Sequence, residues 1–209
     1  MGEPITWDLL VHPFFSLACI EDKLPKHPSP RIRRVLLKNA KVLDAIWKAR
    51  VKFLALRPDR GIIILRPAFR AQIMALESQG VPGLIGLAKE GDMLCEGLTS
   101  FALEKLGRGR CVLARSGIGI QTSLENIVEE RGLRAGPSIG AVMGEYNNWC
   151  VKVAAEHFAK ITGQKVRIAP QKGIFSLGEG RRNVLSDLGK KHRAAVQRMK
   201  KIRIWRNKA

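Results

Sequence analysis

Apolar positions between residues 30 and 56 recur with the period of an α-helix. Ile32, Val35, Leu36, Leu43, Ile46, Trp47, Phe53 and Leu54 fall on one face at about 100° per residue. Ser29 followed by Pro30 supplies an N-cap and a proline at the first helical position, so the helix is predicted to start there. Arg34, Lys38, Lys41, Lys48 and Lys52 cluster on the opposite face, with Arg31 and Arg33 at its flanks. Arg50 breaks the pattern by pointing into the apolar side. It needs an internal partner there, or a stem laid along the core with its head in solvent.

The pattern beyond this helix is more broken. Arg57-Pro58-Asp59-Arg60-Gly61 has the composition of a turn, and Ile62 to Leu65 fits a short buried strand. Pro67 is predicted to open a helix reaching Ser78, closed by Gly80, and a second helix covers residues 84–106. Thr122 to Glu125 has capping-box spacing and predicts a helix ending at Gly132. Residues 137–162 read as a further long helix with Gly163 as its stop, and residues 165–169 as a short strand. Residues 171–183 read as a Gly-rich loop, and Ser186 opens a last helix running to about residue 205. The N-terminal apolar stretch of residues 5–20 is set apart by the proline-rich segment 25–30. The pattern therefore predicts a mainly α protein, a bundle-like globular body with at most a minor short β element. That body spans residues 1–180, with a candidate sub-boundary near 107–117, and residues 181–209 form a basic C-terminal helix.

Composition adds a class. The chain has 209 residues, 45 % of them hydrophobic, which is enough for a real core and too much for a disordered basic tail. Its net charge of +19 is concentrated. Residues 31–70 hold 12 Lys/Arg against two acids, and residues 181–209 hold 11 against one. Two dense basic segments on a nearly neutral body point to a polyanionic partner, because clustered cations sum to a strong local field.

In the last helix, Leu188, Ala195, Met199 and Ile202 form a narrow stripe. Lys190, Lys191, Arg193, Arg198, Lys200, Lys201, Arg203 and Arg206 cover much of the rest, with Arg181 and Arg182 just upstream. Such a surface suits phosphates, whose counterions are released on binding. Trp205, among arginines, serves either as a stacking platform for a base or as an anchor docking the helix. Tyr146 and Trp149 are further aromatic candidates, whereas Trp47 is read as core.

Two windows, residues 67–90 and 110–131, resemble helix-turn-helix units. Their second helices carry Glu90 and Asp92, or Glu125, Glu129 and Glu130, which phosphates would repel. Catalytic chemistry finds little support. Residues 173–179 have P-loop glycine spacing, but Glu179 stands where the phosphate-binding Lys is required. Cys19, Cys95, Cys111 and Cys150 form no C-x-x-C pair, and the four His are dispersed, so no metal or cofactor is expected.

No apolar run approaches the ~20 residues of a membrane span. Asp8 and Pro13 interrupt the N-terminal stretch, so it does not read as a secretory signal. The start matches M-G-x-x-x-S/T, but Glu3 and Pro4 make it a poor acylation substrate. The expectation is a cytoplasmic, reducing location and no membrane partner. The functional expectation is a DNA- or RNA-binding protein of low sequence specificity, in an architectural, replication-accessory or ribonucleoprotein role. The alternative is a structural or adaptor subunit docking on acidic protein partners, and a matrix-like peripheral membrane protein is a weaker third.

Overall fold

The computed structural model describes residues 5–18, 28–115, 120–130, 139–145, 150–163, 166 and 168. Four strands, β1 (Thr6–Val11), β2 (Arg60–Arg66), β3 (Cys111–Arg115) and β4 (Ile139–Gly144), form one sheet in the order β3-β2-β1-β4. All three pairings are parallel. Between and after them run α1 (Pro30–Ala55), α2 (Phe69–Ser78), α3 (Pro82–Leu106), α4 (Ile120–Glu130) and α5 (Lys152–Thr162). This is an α/β fold, and it overturns the expectation of a mainly α bundle. Parallel strands need long crossovers, and here helices supply them; of the four strands the sequence pattern anticipates only β2, as Ile62 to Leu65, and not β1, β3 or β4.

The sheet is buried on both faces, which explains why β2 reads as an unbroken apolar run rather than an alternation. Alternate residues serve opposite layers. Leu10, Ile62 and Ile64 pack with α1, α2 and α3, while Leu9, Val11, Ile63 and Leu65 pack with α4 and α5. Residues 137–162, read as one helix, contain both β4 and α5. At the end of β4, a Cβ on Gly144 would collide with the Val11 carbonyl and the Val151 side chain. Only glycine lets β4 and the start of α5 close on β1 at that point.

α1 follows its pattern closely. The Ser29 hydroxyl accepts from the Ile32 N–H at 3.3 Å, and Leu36, Ala40, Leu43, Trp47, Val51 and Leu54 are buried. Trp47 meets Phe14 edge-on, with ring centroids 5.0 Å apart. Phe53 departs from the prediction. It is 41 % exposed, with the guanidinium groups of Arg50 and Arg57 at 4.8 and 4.9 Å from its ring centre.

Arg50 does find an internal partner. Its Nε and Nη2 each lie 2.6 Å from Oδ2 of Asp8, a fully buried residue of β1, and Arg60 Nη2 lies 3.3 Å from Oδ1. Gly140 of β4 leaves room for this triad, because a Cβ there would sit 2.6 Å from Arg60 Nη2. Arg110 closes the far end of α1. Its Nη1 donates to the Arg57 carbonyl at 2.6 Å and to those of Leu54 and Arg60 at 3.4 Å, placing a cation at the negative end of the helix.

Candidate functional site

The outer face of α1 is defined by what it lacks. Arg31, Arg34, Lys38, Lys41 and Lys52 are exposed, and none of them forms an ion pair with a carboxylate among the described residues. Solvent-facing helices normally mix signs, with i,i+4 pairs along the surface. Lys48 follows that habit, lying 2.8 Å from Asp44. Arg33 is half-buried and leans onto α3, where a Cβ at Gly86 would lie 3.1 Å from its Nη2. Pro30, Arg33, Arg34, Leu37, Lys38 and Lys41 line a shallow, open concavity over the first turns. The 26 residues of α1 extend about 39 Å, so the stripe offers a long one-signed track.

The sequence-predicted residues therefore divide. The structure brings Arg31, Arg34, Lys38, Lys41 and Lys52 onto one open face, while Arg33 and Lys48 take neighbours of their own. Arg181, Arg182, Lys190, Lys191, Arg193, Arg198, Lys200, Lys201, Arg203, Trp205 and Arg206 lie outside the described residues, as do Tyr146 and Trp149. Trp47 is core, as its position in the apolar stripe implied. The helix-turn-helix window 110–131 contains β3 followed by α4, a strand and a helix rather than two helices.

One participant was missed. Phe101 of α3 is half-buried, and the ammonium groups of Lys48, Lys52 and Lys105 lie 5.9, 5.9 and 5.8 Å from its ring centre. No local signal distinguishes it from an ordinary core position. It borders the basic face only because α1 and α3 lie side by side.

A second region has the opposite character. β1 and its neighbour β4, the last strand of the order, are followed by helices on opposite faces of the sheet. Such a reversal between neighbouring strands is the usual ligand-facing point of an open parallel sheet. Val11 pairs with Gly144, so His12 and Glu145 are the next residue on each strand. His12 and Phe14 both have left-handed backbone, with φ of 48° and 64°. The Ser16 N–H donates to Glu145 Oε2 at 2.6 Å, and its hydroxyl bonds Oε1 at 3.0 Å.

Burial pushes the Glu145 carboxyl up to about 8, against the bonds from Ser16 and Phe14 that favour its ionised form. Burial lowers the His12 imidazole to about 4, and neither ring nitrogen has a hydrogen-bond partner among the described residues. Burial thus favours the uncharged form of both groups near neutral pH. Both are shielded from water. Among the described residues no group of three or more His, Cys, Asp and Glu could hold a metal ion, and no helix is long and apolar enough to cross a membrane. No protein-family model, characterised protein or solved structure matches the chain.

Proposed function

We propose that this protein binds nucleic acid by contacting phosphates with the outer face of α1. The observation that carries the reading is the row Arg31, Arg34, Lys38 and Lys41, exposed on one helix face with no carboxylate partner among the described residues. Leaving like charges unpaired on one face works against folding and in favour of an anionic partner. The basic segment 181–209 supplies a second set of phosphate contacts. Contacts of this kind position a protein on its ligand and carry little sequence information, which suits an architectural, replication-accessory or ribonucleoprotein role.

Charge reversal tests the reading directly. With Arg34, Lys38 and Lys41 all changed to Glu, affinity for nucleic acid should fall roughly 10²–10³-fold near 0.1 M salt. Thermal stability should barely change, since all three side chains are exposed. Undiminished affinity in the folded variant would remove α1 from the interface. A wild-type protein with no nucleic-acid affinity at any salt concentration would favour the adaptor reading, in which the same face docks on an acidic protein.

A further inference from the structure

All four strands are parallel, so α1 and α3, each a crossover helix on the same face of the sheet, run in the same direction side by side. Arg33 leans on Gly86 near their starts, and Lys48 and Lys52 reach Phe101 near their ends. Phe101 therefore stands where the basic face of α1 meets the seam with α3. One side of the ring packs on the core. Around the rest are three ammonium groups, and two of these have carboxylate neighbours: Lys48 has Asp44 at 2.8 Å and Lys105 has Glu104 at 2.6 Å. Lys52 has none among the described residues.

We infer that Phe101 is a stacking platform for an unpaired base, so that the α1 face prefers single-stranded over double-stranded nucleic acid. The inference rests on the nucleic-acid reading and sharpens it. Within a duplex both faces of a base are covered by its neighbours, so only an unpaired, splayed-out base offers its face to the ring. A cation beside an aromatic ring contributes ~0.5–1 kcal/mol, so the three ammonium groups together match the ~1–3 kcal/mol of a stacked base. The exchange is favoured because the displaced ammonium groups turn to the phosphates on either side.

Other apolar surface residues do not qualify. Phe53 is flanked by Arg50 and Arg57, and Arg50 is held in place by the buried Asp8, so that ring is not free to receive a base. Leu56, Met74 and Met93 are exposed but have no aromatic face. Trp47, the nearest tryptophan in sequence to the basic residues of α1, is fully buried.

The test uses the full-length protein, a fluorescent oligothymidylate of about 20 nucleotides and a duplex of the same length. Wild type should bind the single strand more tightly. Phe101→Leu keeps an apolar side chain on the core and removes the aromatic face. It should weaken single-strand binding about 10-fold and leave duplex binding unchanged, while Phe101→Trp should restore the preference. Thermal unfolding of each variant separates loss of the platform from loss of the fold. Equal weakening of both probes, or no weakening of either, would overturn the stacking role while leaving phosphate binding in place. Tighter duplex than single-strand binding by wild type would overturn it as well. Binding of neither probe by wild type at low salt would overturn the nucleic-acid reading itself, and this inference with it.

Discussion

The outer face of α1 and the adjoining ends of β1 and β4 treat ionisable side chains in opposite ways. On α1, Arg31, Arg34, Lys38, Lys41 and Lys52 stand in water without carboxylate partners among the described residues, and their mutual repulsion is weakened by solvent and salt. At the strand ends, His12 and Glu145 are withdrawn from water, and burial drives each toward its neutral form. The Asp8 triad lies between these extremes, keeping a fully buried carboxylate matched by two partly exposed guanidinium groups. An external anion gains most from the first region, where charge is unspent. Protons matter most in the second.

Breaking the triad should have the largest effect on stability. Asp8→Ala leaves Arg50 and Arg60 without their shared partner beside the core. Removing one member of a buried pair typically costs ~3–5 kcal/mol, and the partial exposure of both arginines places this case at the lower end, about 3 kcal/mol. Urea unfolding measures it. A loss below about 1 kcal/mol would mean that the guanidinium groups are satisfied by solvent and that the triad is a surface feature.

The pH profile of stability sharpens the contrast. The folded Glu145 value of about 8 lies above the ordinary 4.5, so the native state retains a proton that the unfolded chain releases. That contribution is complete below 4.5 and is lost as pH rises through 8. The folded His12 value of about 4 lies below the ordinary 6.5, so its contribution is complete above 6.5 and is lost as pH falls through 4. Between 4.5 and 6.5 the two slopes oppose each other. Between 6.5 and 8 only the Glu145 slope remains, and this pair should lower stability by about 2 kcal/mol over that interval. Glu145→Gln mimics the protonated carboxyl and should abolish the fall while retaining an acceptor for Ser16. Persistence of the fall in the variant would assign it to another group.

The smallest effect belongs to Lys48, the lysine of the α1 stripe that is paired among the described residues. Lys48→Ala removes an i,i+4 contact with Asp44 and should cost only about 0.3–0.5 kcal/mol in a thermal melt. A loss above about 1 kcal/mol would show that the stripe serves folding.

Local features of the chain were readable where one element contained all the information. α1 carries its own cap, period and charged face, so its limits and its exposed cations could be read directly. Non-local features were not. β1 contains Asp8, which breaks an apolar run unless its partner Arg50, 42 residues further on, is known to reach it. In β4, Gly140-Ala141-Val142-Met143-Gly144 is too short to separate a strand from a helical turn. Ser16 and Glu145 lie 129 residues apart and meet only because β4 pairs with β1. Phe101 likewise acquires its lysines from α1 as well as α3.

The salt dependence of binding, compared between wild type and the Arg34→Glu, Lys38→Glu, Lys41→Glu variant, tests the role of α1 most directly. Each phosphate contact contributes about 0.9 to the slope of log K against log salt concentration on duplex DNA. If these three residues each neutralise a phosphate, the variant's slope should be shallower by about 3, with its thermal unfolding midpoint unchanged. Parallel lines for the two proteins would show that α1 does not touch the phosphate backbone.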